Sequence, residues 1–211
     1  MTTAQHAVAM AARAYVDNLP SPFRPFVGDY DSQAFVHVSD VGTITVAFRG
    51  SESRLDWLAV CLRWQTPFVP VAGARVHAGF MRQYSSLRGP LVQYLVSLDC
   101  AEREILVTGH SLGGALATMF ALELALACPR AHVVCCAFSA PRTGNRAFVR
   151  AADRTPNLDI TRVHVVGDII PGMPYFGYHH TSRLYRVPRP AYIPWYDVRG
   201  KHSIELLRAL L

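Results

Sequence analysis

Apolar and polar positions divide the chain into alternating strand-like and helix-like segments. Runs rich in apolar and β-branched residues, several of them ending in Gly, Ser or Asp, predict strands. These runs are QAFVHVSDVGTITVAFRG (33–50, two strands about a turn at 40–42), EILVTG (104–109), AHVVCCAFSA (131–140) and ITRVHVVGD (160–168).

Helical patterns separate the predicted strands. They are RLDWLAVCLRW (54–64), FMRQYSSLRGPLVQYLVSL (80–98), which Pro90 is expected to interrupt, GGALATMFALELALA (113–127) and RAFVRAAD (146–153). Continuous apolar strands that alternate with helices are typical of a mostly parallel sheet covered on both faces. The pattern therefore predicts an α/β fold, and a length of 211 residues is ordinary for one such domain over 1–211.

The numbers and positions of the charged residues limit the classes of molecule that we expect the protein to bind. The chain has 21 Lys and Arg against 15 Asp and Glu, a net charge of +6, and Lys201 is its only lysine. The basic residues are scattered, and no basic run is interleaved with aromatic residues as in proteins that track nucleic acid. We expect no nucleic-acid partner, and the charge leaves room only for transient attraction to an anionic lipid surface.

The cysteines and the apolar runs of the chain indicate the cellular compartment in which we expect the protein. The five cysteines are an odd number, without a C-x-x-C pair or metal-ligand spacing to a histidine, so free thiols and no metal are expected. The first 20 residues have only a short apolar patch and are typical of a short helix rather than a signal peptide. No apolar run approaches the ~20 residues that cross a bilayer. We expect a cytoplasmic protein with no transmembrane segment.

The stretch VTGHSLGGALAT (107–118) places a serine where a predicted strand ends and a helix begins. Ser111 is the centre of a G-x-S-x-G motif, whose glycines permit a strained turn that exposes the serine hydroxyl above the sheet. The helix that follows points its amino terminus at the same place and favours negative charge there. The motif in this context predicts a catalytic nucleophile rather than an incidental serine in a glycine-rich turn.

A serine nucleophile needs a base, and the base needs an orienting acid. On this architecture the chain order is Ser, then Asp or Glu, then His. Four aspartates follow Ser111 in the sequence: Asp153, Asp159, Asp168 and Asp197. Only Asp168 directly follows a strand-like run, which would place its carboxylate at the carboxyl edge of the sheet. Asp168 is the predicted acid.

Three histidines follow Asp168 in the chain and could be the base. His179 and His180 come only a dozen residues after the aspartate, whereas His202 lies in a loop that opens a terminal amphipathic helix. A loop at the sheet edge suits a base that must reach the serine, so we favour His202. For His180 we expect a structural role, with a hydrogen bond to a neighbouring loop.

The oxyanion of an acyl-transfer transition state needs hydrogen-bond donors. One is the backbone amide of Leu112, which follows the nucleophile, and the other should come from an early strand-to-loop junction. VAFRGSES (46–53) supplies such a junction at Ser51, which could also cap a following helix. Ser51 and Leu112 are the predicted oxyanion hole.

Six stretches resemble, in order, the motifs of the class 3 lipases, the fungal-lipase-like α/β hydrolases. They are AFRGSESRLDW, VHAGF, ILVTGHSLGGALATMFAL, FSAPRTGNRAF, VVGDIIPGMPYFGYHH and KHSIELL. The resemblance implies the α/β-hydrolase fold and an acyl-ester hydrolase with Ser111, Asp168 and His202 as its triad. Ser51 and Leu112 would form the oxyanion hole, and no cofactor or metal is implied.

The chain departs from the family pattern outside the motifs. It is shorter than many secreted members, has an odd number of cysteines where they have an even set, and has nine residues after His202. We also expect it to lack their signal peptide. These departures argue against a role in extracellular triglyceride digestion more than they argue against ester hydrolysis by the predicted triad. We expect a lipase or carboxylesterase acting on acylglycerols or related lipid esters. The alternatives are a phospholipase A and a non-catalytic hydrolase scaffold that serves as a binding module.

A lid is the last expectation from the sequence. The segment ESRLDWLAVCLRWQTPFVPV (52–71) begins polar and turns apolar, and most of its apolar residues are expected to form the face of an ordinary core helix. A short amphipathic piece at 53–57 could cover the site in water and open at a lipid surface. So small an apolar face predicts interfacial activation of only a few-fold.

Overall fold

A seven-stranded sheet organises the part of the chain that the structure describes. The structure is a computed structural model that describes residues 3–50 and 64–211. The strands in chain order are β1 (Arg24–Val27), β2 (Gln33–Val38), β3 (Ile44–Phe48), β4 (Gln65–Pro67), β5 (Arg75–His77), β6 (Glu104–His110), β7 (His132–Phe138), β8 (Leu158–Val165) and β9 (Leu184–Val187).

The main sheet is mostly parallel, as predicted. Its order is β1-β2-β3-β6-β7-β8-β9, and β4 pairs with β5 in a separate hairpin. The pairs β1–β2 and β2–β3 are antiparallel, whereas every pair from β3 to β9 is parallel. The parallel strands therefore all end at one carboxyl edge, where loops from different parts of the sequence meet.

Helices cover both faces of the sheet. In chain order they are α1 (Thr3–Arg13), α2 (Ala78–Ser97), α3 (Leu112–Ala127), α4 (Arg146–Arg154), α5 (Val198–Lys201) and α6 (Ile204–Leu210). Apolar residues of α2, α3 and α4 form one core with alternate residues of the central strands, such as Val107 and Cys135. Residues of α1 and α6 pack against the intervening positions, such as Leu106 and Cys136.

The helix α2 runs through Pro90, so the expected interruption there is wrong. A proline inside a helix removes one backbone donor and crowds the preceding turn. Pro90 and Gly89 lie on the exposed side of α2, while Leu87, Leu91 and Leu95 are buried against the core. Packing of that apolar face holds the helix together across the defect.

Three expectations from the sequence fall on residues 51–63, outside the described part of the chain. They are Ser51 as an oxyanion donor, the lid at 53–57 and all but the last residue of the helix predicted over 54–64. Within the described ranges, no helix is long and apolar enough to cross a membrane. Cys100, Cys128, Cys135 and Cys136 are free thiols.

Candidate active site

The turn between β6 and α3 forces Ser111 into an unusual backbone conformation. Its φ of 56° and ψ of −126° lie where non-glycine residues are rarely found. The Ser111 amide donates to the carbonyl of Phe138 at 2.9 Å, which ties the turn to the end of β7. Strain of this kind persists only where the surrounding structure holds it, and it is concentrated at functional sites.

The glycines of the motif are required by close backbone approaches. A Cβ at Gly109 would lie 2.3 Å from the carbonyl oxygen of Gly113, and a Cβ at Gly113 would lie 2.3 Å from the carbonyl oxygen of Phe48. Both distances are far inside van der Waals contact. The G-x-S-x-G spacing therefore lets β3, β6 and α3 meet tightly under Ser111.

Ser111, His202 and Asp168 form one hydrogen-bonded chain. His202 Nε2 lies 2.8 Å from Ser111 Oγ, and His202 Nδ1 lies 2.9 Å from Asp168 Oδ2. The three come from positions 111, 168 and 202 and meet at the carboxyl edge of the sheet. The Asp168 side chain is fully buried and that of His202 is 7% exposed, so water competes little for these bonds.

The loop after β8 holds Asp168 in place. The Asp168 amide donates to Val165 at 3.1 Å, and its second carboxylate oxygen, Oδ1, accepts from the amide of Ile170 at 3.0 Å. Gly167, with φ of 88°, makes the turn from the strand into this loop. One carboxylate oxygen is thus used by the loop and the other by His202.

His202 lies at the junction of α5 and α6, in the loop position predicted for the base. Its amide donates to Val198 at 3.0 Å, which closes the short helix α5. Its carbonyl oxygen lies 2.9 Å from Nε2 of His110, the residue that precedes the serine. The backbone of His202 is thus tied both to its own helix and to β6.

His110 is buried and connects Tyr15, which follows α1, to His202. A carbonyl only accepts, so His110 Nε2 carries the proton donated to His202, and its Nδ1, 2.8 Å from the hydroxyl of Tyr15, accepts. Burial holds the pKa of His110 well below its ordinary value, and repulsion from His202 lowers it further. His110 is therefore a neutral, fixed tautomer next to the triad.

His180 lies apart from the hydrogen-bonded chain of the triad. Its Nε2 donates to the carbonyl of Pro171 at 2.5 Å and so braces the loop that follows Asp168. Burial lowers the pKa of His180 to about 3, with a further contribution from the charge of Arg162. The structure places His180 in a loop-bracing position, and His179 pairs through its amide with the carbonyl of Gly144 at 2.8 Å.

Leu112 is the first residue of α3, directly after the serine. Amides in the first turn of a helix have no partner within the helix and point out of its amino end, where the helix dipole also favours negative charge. A developing oxyanion beside Ser111 would meet this end of α3. Among the described residues, no group of three or more His, Cys, Asp or Glu side chains could hold a metal ion.

Comparison with known proteins places the chain in a family. The family model for Lipase (class 3) matches residues 45–178, well over half of the chain. The chain belongs to the class 3 lipase family. The matched segment contains Ser111 and Asp168 and ends before His202.

Relatives of this member of the class 3 lipase family have names of two kinds, lipase and phospholipase A1. A lipase of Rhizomucor miehei is 32% identical over 164 residues, which are 74% of this chain and 45% of the relative. Phospholipase A1-II 1 of Oryza sativa subsp. indica is 30% identical over 162 residues, 64% of this chain and 40% of the relative. The chain thus spans less than half the length of these curated relatives.

A solved lipase structure shares the fold. The lipase of Rhizopus microsporus var. chinensis is 29% identical and superposes with a TM-score of 0.75, over 87% of this chain and 71% of that one. This likeness confirms the predicted α/β-hydrolase fold, with a mostly parallel sheet and helices on both faces.

Sequence reasoning missed the two residues behind the triad, Tyr15 and His110. His110 entered the sequence argument only as the variable position of G-x-S-x-G. The usable signal was a histidine at the buried end of a predicted strand, because a buried imidazole must find hydrogen-bond partners. Nothing in the sequence identifies those partners, since Tyr15 lies 95 positions away.

Proposed function

We propose that this class 3 lipase family member is a serine hydrolase of carboxylic acid esters. The observation that supports the proposal best is the unbroken hydrogen-bonded chain from Ser111 Oγ through His202 to Asp168, at 2.8 and 2.9 Å. In this proposal Ser111 is the nucleophile, His202 the general base and Asp168 the acid that orients it.

The hydrogen-bond geometry assigns the proton positions of the resting site. Asp168 accepts the proton on His202 Nδ1, so Nε2 is free to accept the Ser111 hydroxyl proton. As Ser111 Oγ attacks the ester carbonyl carbon, its proton moves to Nε2, and buried Asp168 stabilises the imidazolium. Nε2 then returns that proton to the leaving alkoxide, which departs as the alcohol.

The second half of the cycle repeats these transfers with water. His202 Nε2 takes a proton from a water molecule, whose oxygen attacks the acyl carbon bonded to Ser111 Oγ. The acid is released when Nε2 protonates Oγ and restores the serine. During both halves the Leu112 amide stabilises the oxyanion, and we assign the second donor to Ser51, which follows the end of β3 and its loop.

The substrate class we propose is lipid esters, with acylglycerols first. Two observations support it: the family match, and the relative named lipase in Rhizomucor miehei. A phospholipase A1 activity is the second candidate, because a relative of similar identity in Oryza sativa carries that name. The two activities use the same triad and differ in the group attached to the glycerol.

A substrate panel tests the proposal. Hydrolysis of p-nitrophenyl esters of short and long acyl chains, of a triacylglycerol emulsion and of phosphatidylcholine would be measured with wild type and Ser111→Ala. We expect ester hydrolysis that Ser111→Ala abolishes, with the emulsion or the phospholipid preferred. A folded wild-type protein without activity on any ester would contradict the proposal and favour a non-catalytic binding module.

The rate across the solubility limit of a partly soluble ester tests the lid proposed at 53–57. A rise of about a few-fold at the limit is the result expected if a small amphipathic segment opens at the lipid surface. Smooth saturation without a rise at the limit would contradict the lid and favour an esterase of dissolved substrates.

A further inference from the structure

A cavity of about 580 Å³ lies between α2, the end of α3 and the β4–β5 hairpin. Its volume is in the range of about 300–1,000 Å³ that is usual for small-molecule sites, which are mostly apolar with a few polar groups. Its walls contain the ion pair of Arg88 and Glu123. The apolar residues that line it are Phe68, Val69, Pro70, Met81, Leu126 and Ala127.

The cavity lies far from the triad. Leu112 begins α3 directly after Ser111, and Leu126 lies 14 positions further along the same helix. At ~1.5 Å per residue these two positions are about 21 Å apart. A ligand held at this end of α3 therefore leaves the place where Ser111 and His202 meet unoccupied.

Backbone and ring contacts hold the apolar wall of the cavity in shape. The amide of Phe68 donates to the carbonyl of Ala74 at 2.9 Å across the hairpin. The Phe68 ring packs edge-on against Phe148, with ring centres 5.2 Å apart. Val69 is 89% exposed and Leu126 is 43% exposed. The wall thus leaves apolar surface in water that an apolar ligand would cover.

Both carboxylate oxygens of Glu123 already accept hydrogen bonds. Oε2 accepts from the hydroxyl of Tyr84 at 2.5 Å, and Oε1 accepts from Nε of Arg88 at 2.6 Å. The Glu123 side chain is 10% exposed, whereas that of Arg88 is 52% exposed. The cavity therefore presents the positive member of the ion pair to a ligand more than the negative one.

Two hydrogen-bond donors at the cavity wall remain for a ligand. Arg88 uses Nε and Nη2 for Glu123, and within the described part of the chain its Nη1 makes no hydrogen bond. Ser85, which also lines the cavity, is exposed. Met81, Ser85 and Arg88 are spaced by four and three residues, so they lie on one face of α2. That face changes from apolar at Met81 to polar at Ser85 and Arg88.

We propose that this cavity binds a long-chain carboxylic acid. The carboxylate accepts from Arg88 Nη1 and Ser85 Oγ, and the alkyl chain lies between Met81, Leu126 and the hairpin. A guanidinium suits this ligand because its hydrogen bonds to a carboxylate are charge-assisted. Each methylene group that leaves water strengthens binding by about fourfold, so the chain supplies most of the affinity.

A second cavity gives a long alkyl chain more room. It has a volume of about 570 Å³ and shares Pro70 and Leu126 with the first, so the two cavities adjoin. Its apolar wall continues with Val71, Ala72 and Pro129. A chain whose carboxylate lies at Arg88 can pass Leu126 into this second cavity. We therefore expect the site to prefer long chains to short ones.

A long-chain acid is also the product of the proposed ester hydrolysis. The cavity would then hold the released acid at a distance from Ser111. This consequence rests on the proposed function, whereas binding of the acid does not, because it is measured with no ester present.

Isothermal titration calorimetry with laurate, kept below its aggregation concentration, tests the proposal. Decanoate tests the role of chain length, and dodecyltrimethylammonium carries the opposite charge on a chain of the same length as laurate. Arg88→Gln is compared with Arg82→Gln, since both remove one charge from α2 and Arg82 lies over the ring of Tyr30 instead. Leu126→Asp is compared with Val96→Asp, a change at an exposed position near the end of α2. Melting temperatures of all four variants verify folding.

We expect saturable binding of laurate to the wild type, about tenfold tighter than that of decanoate and tighter than that of dodecyltrimethylammonium. Arg88→Gln should weaken laurate binding by at least about tenfold, because a hydrogen bond to a charged group is lost, and Arg82→Gln by less than about twofold. Leu126→Asp places a charge on the apolar wall and should abolish measurable binding. Val96→Asp should leave it unchanged.

Photolabelling with a laurate analogue that carries a diazirine on its chain locates the site. We expect labelled peptides from residues 68–71, 81–88 or 123–127. The proposal would be overturned by a lack of saturable binding, by tighter binding of the ammonium compound than of laurate, or by equal losses in the matched variants. Label confined to the peptide of Ser111 would overturn it too. If the wild type bound laurate in the cavity but hydrolysed no ester, the proposed function would fail and the binding site would stand.

Discussion

His110 Nε2 donates a hydrogen bond to the carbonyl oxygen of His202 across 2.9 Å, and the two imidazole rings lie 4.8 Å apart. The residue that precedes the proposed nucleophile thus holds the backbone of the proposed base. The hydroxyl of Tyr15 donates to His110 Nδ1 at 2.8 Å and so fixes the tautomer that makes this bond. Three elements of the chain are joined behind the triad by these two contacts.

Tyr15→Phe should lower kcat without a matching change in KM. Without the hydroxyl, His110 can place its proton on Nδ1, and Nε2 then no longer donates to His202. We expect kcat on a soluble ester to fall by about tenfold, which corresponds to about 1.4 kcal/mol of transition-state stabilisation. Tyr30→Phe, which removes the same hydroxyl group from an exposed ring that packs against Arg82, is the matched control. An unchanged kcat, or a loss explained by a lower melting temperature, would show that the link to His202 does not position the base.

His202→Ala and His180→Ala should separate the base from the loop brace. His202 bonds Ser111 and Asp168, so its removal should reduce kcat by on the order of 10⁴-fold or more, as expected of residues that act as a unit. His180 bonds the carbonyl of Pro171, so its removal should act mainly on the melting temperature. The measurements are the ester-hydrolysis activity and the melting curve of each variant. An inactive His180→Ala variant together with an active His202→Ala variant would show that His180, not His202, is the base.

His180 should also make the stability of the protein sensitive to acid. Its pKa is about 3 in the folded protein against 6.5 when free, so the unfolded chain takes up a proton first as the pH falls. The folded state therefore loses stability below pH 6.5, by at most about 1.4 kcal/mol per pH unit for this one group. His180→Gln, which keeps a donor for Pro171, removes that contribution. Urea unfolding from pH 7 to about 4.5 should give a flatter curve for the variant, and parallel curves would refute the role of His180.

The sequence was most informative where burial and motif coincide. The strands β6 and β7 are largely buried runs of β-branched and apolar residues, and β8 buries about every second residue, so their patterns identified them. G-x-S-x-G then located the turn at Ser111. Chain order and placement after a strand singled out Asp168, and a loop position favoured His202. These inferences depend on local sequence patterns and on the order of Ser, Asp and His along the chain. Both can be read from the sequence alone.

Other features depend on contacts between distant residues and could not be read in that way. The strands β1 and β4 are short and contain no fully buried residue, so they lack an apolar alternation that would distinguish them from loops. Pro90 suggested a break because the packing of Leu87 and Leu91 that sustains α2 is a tertiary effect. The link from Tyr15 through His110 to His202 joins residues up to 187 positions apart, and only the folded chain brings them together.

Site-resolved labelling with a serine-directed phosphonate tests the central claim, that Ser111 is a nucleophile activated by His202 and Asp168. The wild type, Ser111→Ala and a control, Ser139→Ala, would be treated with a p-nitrophenyl alkylphosphonate and mapped by mass spectrometry. We predict one phosphonyl group on Ser111 in the wild type and in Ser139→Ala, and none in Ser111→Ala, whose ester hydrolysis should fall by on the order of 10⁴-fold or more. A label on another residue, or a Ser111→Ala variant that keeps near wild-type turnover, would contradict the account.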